Sequence, residues 1–230
     1  MNTKINTKRK RVKFASDNVT GACPEVLEAV IKANDGIVPP YGNDEISGVL
    51  QEKFSKIFEK DVIVYPTASG TASNALALSA ISPSFGNIYC HKFSHINVDE
   101  CGAPEFYTGG AKLVPLNGED GKITTEELKN SIGGFGIVHH TQPSIVSITQ
   151  ATETGEVYTL EQIKNISEIT HKLNLKMHMD GARFANALVS LDVSPAEMTW
   201  KSGIDILSLS LIHISEPTRQ EAISYAVFCL

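Results

Sequence analysis

The sequence predicts an α/β fold: a mostly parallel sheet covered by helices on both faces. Three observations lead to it. Short apolar, β-branched runs alternate with longer amphipathic segments over residues 62–207, the pattern of strands joined by crossover helices. Helix-start signals recur between them, at Thr124-x-x-Glu127, Thr159-x-x-Gln162 and Ser194-Pro195, where a side chain can satisfy the free N–H groups of a first turn. The strand at 176–180 ends in Asp180-Gly181-Ala182-Arg183, and open α/β sheets bind ligands outside the carboxyl ends of their strands.

The bulk numbers suit such a fold. With 230 residues, 42% hydrophobic and 20% charged, the chain can bury one sizeable core. A net charge of −6 argues against a duplex nucleic-acid binder as a whole. No apolar run approaches the ~20 residues of a membrane span, and the N-terminus has no signal-peptide core, so no membrane partner and a cytoplasmic location are expected. Cys23, Cys90, Cys101 and Cys229 form no C-x-x-C pair, which disfavours a zinc ribbon or redox couple.

Taken in order, residues 1–13 carry six lysines and arginines with few apolar residues and read as a solvated, disordered basic arm. After Pro24, the spacing of Val26, Leu27, Val30 and Ile31 predicts an amphipathic helix closing at Asn34-Asp35-Gly36. Pro39-Pro40-Tyr41-Gly42 must be loop; Tyr41 there is either a packing aromatic or a ring offered to a ligand. A second helix follows with Ile46, Val49, Leu50, Phe54, Ile57 and Phe58 as its buried stripe. Strands are expected at 62–65, 87–90, 112–115, 145–150 and 204–207, with helices at 75–80, from Thr124, from Thr159 and from Ser194.

Three places in this pattern carry chemistry. Ser69-Gly70-Thr71 lies between a strand and a small-residue helix, a setting in which free N–H groups and the helix dipole meet a phosphate, although small residues also permit close helix–sheet packing. The spacing is neither a P-loop nor a dinucleotide fingerprint. His91 and His95 stand four apart, but no third ligand is fixed nearby, so His95 reads better as a pocket wall and no metal is expected. Met177 and Met179 alternate with His178 and Asp180, which places the latter two on one side of their strand. Asp180 then either caps the following helix or points into a pocket.

A phosphate turn, a ring-sized wall and an acid beside an arginine are what pyridoxal 5'-phosphate requires. The motifs Phe-Ala-Ser-Asp-Asn at 14–18, Tyr-Gly-Asn-Asp at 41–44, Ser-Gly-Thr-Ala-Ser-Asn at 69–74, Asp-Glu-Cys-Gly-Ala-Pro-Glu-Phe at 99–106, Thr-Gln-Ala-Thr-Glu at 149–153 and His-Met-Asp-Gly-Ala-Arg-Phe-Ala-Asn-Ala at 178–187 resemble those of low-specificity L-threonine aldolases, fold-type I pyridoxal-phosphate enzymes related to the β-eliminating lyases. The resemblance implies a three-layer large domain at 14–208, with the family's small C-terminal domain missing. It implies that Ser69, Gly70 and Thr71 hold the phosphate, that His95 stacks on the ring and that Asp180 pairs with the ring nitrogen. Ser16 and Arg183 would hold the carboxylate of a small amino-acid substrate, and Tyr41 would line the substrate side, from a neighbouring subunit in a homodimer or homotetramer. Relatives carry a second histidine where this chain has Glu153. The implied reaction is aldol cleavage of threonine or allo-threonine to glycine and acetaldehyde, with a β-eliminating lyase on another amino acid or a non-catalytic ligand-binding fragment as alternatives.

The resemblance also implies a lysine that binds the cofactor a few residues past the strand ending near Leu207. The chain has none after Lys201, and Lys201 precedes that strand, which spans about 17 Å. From Leu209 the sequence instead resembles translated sequencing adapter, a transposon end at 209–219 and a primer at 223–230. Residues 209–230 are therefore expected to be a non-native tail.

Overall fold

A computed structural model describes residues 24–210 and the backbone of 225–229. The basic arm, Ser16 and most of the tail lie outside the described residues.

The chain opens with α1 (Pro24–Ala33) and α2 (Glu45–Ile57). β1 (Ile63–Thr67), α3 (Gly70–Ile81), β2 (Gly86–His91), the single-turn α4 (His95–Val98), α5 (Ala103–Tyr107) and β3 (Lys112–Leu116) follow. Next come α6 (Thr125–Ser131), β4 (Gln142–Thr149), α7 (Leu160–Lys172), β5 (Lys176–Gly181), α8 (Phe184–Leu191), α9 (Pro195–Met198), β6 (Ile206–Ser210) and β7 (Tyr225–Cys229). The strands form one sheet in the order β1-β7-β6-β5-β4-β2-β3. Pairs among β2 to β6 are parallel, and β7 runs antiparallel between β6 and β1.

Strand parity divides the core. Met177, Met179, Val146, Ile148, Leu207 and Leu209 join Ile163, Ile166 and Phe184 in the larger cluster. Ile88, Cys90 and Ile145 pack with Leu78 of α3 on the other face. His178 and Asp180 alternate with the two buried methionines, so they take the α3 side. This sheet between two helical layers is the expected three-layer α/β architecture. Capping boxes of Thr159 with Gln162 and Ser194 with Glu197 start α7 and α9, and Thr124 caps α6.

Three local expectations change. α3 begins at Gly70 rather than Ala75, because Ser69 in an extended conformation caps it at once by accepting from the Ala72 N–H at 3.2 Å. The small residues read as a turn are therefore its first turn. Of the α2 stripe expected to be buried, Ile46 and Ile57 stay exposed while Leu50, Phe54 and Phe58 reach the core. Periodicity marks a face that can be buried, not what buries it. β6 runs from Ile206 to Ser210 rather than over the expected 204–207, with Leu209 only 8% exposed in the core.

Candidate active site

Of the groups singled out in the sequence, Gly70, His95, Glu153, Asp180 and Arg183 come together where β1, β2, β4, β5 and β6 end. A cleft of about 70 Å³ there is lined by Gly70, Asn74, His95, Glu153, Asp180, Ala182, Arg183, Ser208 and Ser210. Each arrives from a strand's carboxyl end or the segment just after it, as parallel strands with short connections demand. A second cleft of about 710 Å³ borders the same first turn of α3 through Ser69 and Thr71, with Glu100, Phe106 and Tyr107 opposite.

α3 presents the positive end of a 12-residue helix. The N–H groups of Gly70 and Thr71 have no intrahelical partner, and a hydroxyl follows at Thr71. Asp180 is 5% exposed. Its Oδ1 accepts from the Ala182 N–H at 3.0 Å and its Oδ2 from Asn74 Nδ2 at 3.0 Å, so each oxygen keeps acceptor capacity. The capping alternative falls away: Arg183, not Asp180, occupies the N-cap of α8. Arg183 is half-buried and donates from Nη1 to the Ala151 carbonyl at 3.3 Å.

His95 opens α4, with Nδ1 2.7 Å from Glu100 Oε1. That carboxylate raises the imidazole above its ordinary value. Glu153 ties β4 to α4, its Oε1 accepting from the His95 N–H at 3.0 Å and from Thr149 Oγ1 at 2.9 Å. His178 is fully buried between Ser147 Oγ at 2.8 Å and Ser208 Oγ at 3.0 Å. Burial pushes it down to about 4, so it is a neutral member of the sheet beneath the site. His91 turns elsewhere, toward the Gly118 carbonyl and the Phe93 N–H. Among the described residues no group of three or more His, Cys, Asp or Glu stands close enough to hold a metal.

Tyr41 does not join the site within one chain: it is 97% exposed and lines neither cleft. Asn74 and Glu100 are the residues that sequence reasoning passed over. Both lie inside quoted motifs, yet an amide in a small-residue helix and an acid in an acidic pair carry no signal without the partner that tertiary structure supplies.

The donor set fits pyridoxal phosphate in kind. There is a helix N-terminus for a dianion, a buried carboxylate with spare acceptor capacity, and an imidazole beside it. Three buried oxygens near these groups, Asn74 Oδ1, Glu100 Oε2 and Glu153 Oε2, have no partner among the described residues, as a site shaped for a polar ligand would leave them. Two features fall short. The cleft at Asp180 is smaller than the ~300 Å³ of ordinary ligand pockets, so seating a ring requires it to widen. Lys201 pairs with Glu59 at 2.6 Å, before the amino end of β6, and cannot reach across the strand.

An open α/β sheet with a phosphate-ready helix and an acid at its carboxyl edge defines the fold-type I class of pyridoxal-phosphate enzymes. The chain belongs to the β-eliminating lyase family, whose match covers residues 13–213, and the family is pyridoxal-phosphate dependent. It is 44% identical over 194 residues to the low specificity L-threonine aldolase of a Pseudomonas species, and 42% identical over 194 residues to that of Pseudomonas aeruginosa. Each alignment covers 84% of this chain and 56% of the relative, so the chain spans about half the length of the curated relatives it matches. A Leishmania major threonine aldolase structure superposes with a TM-score of 0.83 at 24% identity, over 94% of this chain and 62% of that one, which shows the shared fold.

Proposed function

We propose that this chain is the cofactor-binding large domain of a threonine aldolase, which cleaves the Cα–Cβ bond of β-hydroxy-α-amino acids such as threonine to give glycine and an aldehyde. The observation that carries the reading is that the first turn of α3, His95 and the Asp180–Arg183 pair line one region in a chain 44% identical to a low specificity L-threonine aldolase. When bound, pyridoxal phosphate supplies an electron sink for the pair left on Cα as the bond breaks.

The chain's own residues have distinct tasks in this reading. Gly70 and Thr71 N–H groups, with the Ser69 and Thr71 hydroxyls, bind the phosphate at the helix dipole. Asp180 holds a proton on the ring nitrogen through a charge-assisted hydrogen bond. His95 walls the ring. Arg183 and Ser16 clamp the substrate carboxylate, which fixes the orientation of the scissile bond. Glu153 lines the cleft, and its buried Oε2 has no partner among the described residues. Tyr41, exposed on its loop, serves the site of a neighbouring copy in a homodimer or homotetramer. Among the described residues no helix is long and apolar enough to cross a membrane, in keeping with a cytoplasmic enzyme.

We read residues 209–230, which include the end of β6 and all of β7, as a non-native tail. A genomic read continuing unchanged through Leu230 would refute that. Because no lysine follows Lys201, this chain binds the cofactor reversibly and gives no covalent adduct on borohydride reduction. Joined to the carboxyl-terminal half of a Pseudomonas relative, residues 14–208 are expected to give a yellow protein that releases glycine from threonine. A folded, yellow chimaera that acts on tyrosine or tryptophan but not threonine would replace the aldolase reading by β-elimination.

A further inference from the structure

Beside His95 sits a buried acid to which the aldolase reading assigns no task. Glu100 is 2% exposed and follows the single turn of α4, which is too short to fix the histidine ring by itself. Glu100 Oε1 lies 2.7 Å from His95 Nδ1 and accepts from Asn74 Nδ2 at 2.7 Å. The same Nδ2 donates to Asp180 Oδ2 at 3.0 Å. An amide nitrogen has two protons, so both are engaged by carboxylates, one from each side of the cleft. Asn74 is itself 3% exposed and fixed on α3.

We propose that Glu100 is the positioning residue for His95, accepting its Nδ1 proton, and that Asn74 bridges this pair to Asp180 so that ring wall and acid keep one geometry. An ionised carboxylate only accepts. Nδ1 must therefore carry the proton, and Nε2 is the ring atom that faces no partner among the described residues. A buried carboxylate needs such donors, because taking it out of water unpaired is costly. Glu100 Oε2 has none among the described residues, which makes the two bonds on Oε1 the more important.

The charges agree with this arrangement. Burial pushes the Glu100 carboxyl up, and the Glu100 hydrogen bond pushes the His95 imidazole up against its own burial, with Asp180 and Asp99 adding to the rise. Both shifts retain a proton on the pair to higher pH. The other charged groups around His95 are Glu153, which accepts from its backbone N–H, and Arg183 in the same cleft. The proposal rests on the pyridoxal reading only for what the ring faces, since the network exists in the protein alone.

The test is imidazole ¹⁵N spectroscopy of the full 230-residue chain without cofactor, across pH. In the wild type the neutral His95 ring is expected to carry its proton on Nδ1 and to titrate above free histidine. Glu100→Gln should move that midpoint to lower pH. Asn74→Ala, which removes a donor from Glu100, should move it to higher pH. His178, neutral and buried, serves as the folding control in each spectrum. A wild-type ring protonated on Nε2, or a midpoint unmoved in a folded Glu100→Gln chain, would overturn the proposal. If that variant does not fold, the wild-type tautomer decides. Failure of cofactor binding would count against the aldolase reading and leave this result untouched.

Discussion

Asp180→Asn isolates the charge at the centre of the proposed site. The side chain keeps its size in a position only 5% exposed, so no cavity is made. The amide oxygen can still accept from the Ala182 N–H, as Oδ1 does at 3.0 Å, while its NH₂ cannot accept the hydrogen bond that Asn74 now donates at 3.0 Å, which is lost together with the charge. What is lost is a charged acceptor for a protonated ring nitrogen. Hydrogen bonds to charged groups contribute about 1.5–3 kcal/mol, so reversible pyridoxal-phosphate binding should weaken by roughly one to two decades in Kd. Calorimetric titration of the folded chain measures it. An analogue with carbon in place of the ring nitrogen supplies the control: it should bind the wild type more weakly and be indifferent to the substitution. Equal affinity of wild type and variant for the natural cofactor would refute the assignment of Asp180 to the ring nitrogen.

Three further outcomes concern the fold that holds the site. Ser69→Ala removes the cap of α3 and should cost about 1 kcal/mol, a fall of about 2–4 °C in Tm for a chain of this size, read by thermal circular dichroism. Burial keeps His178 neutral in the fold down to about pH 4, against the ordinary histidine value of 6.5, so the unfolded chain takes up the proton first. Its contribution is complete above pH 6.5 and is lost as pH falls toward 4, by on the order of 3 kcal/mol. Urea unfolding of the wild type against His178→Asn should show a gap that narrows over that window, and a constant gap would contradict the assignment. Gly203→Ala places a methyl group 2.7 Å from Ser167 Cβ at a φ of +92° and should destabilise by more than about 2 kcal/mol. Gly155→Ala, at a φ of +89° with nothing within 4 Å, should lose only about 1 kcal/mol, and denaturant midpoints for the pair test that order.

Much of this was legible in the chain. Alternation of Met177 and Met179 with His178 and Asp180 correctly assigned the faces of β5, because a strand's period of two leaves no other choice. The helix starts at Thr159 and Ser194 were readable because a capping box is local: its two bonds span four residues. Misreadings arose where the deciding partner is distant or absent. The apolar stripe of α2 has the period of a buried face, yet Ile46 and Ile57 stay exposed while Leu50, Phe54 and Phe58 reach the core. Whether Asp180 caps a helix or faces a cleft could not be settled from 180–187, since either role uses the same residue types.

By itself, then, the sequence determined the alternation of strands and helices, the carboxyl-edge location of the polar motifs and the absence of a lysine beyond Lys201, all of which are properties of neighbours along the chain. Only the tertiary structure decided that Asn74 of α3 stands between Glu100 and Asp180, residues 26 and 106 positions away. Hydrogen bonds of that span depend on the register of β5 against its neighbours and on how α3 lies across the sheet. No local spacing encodes either.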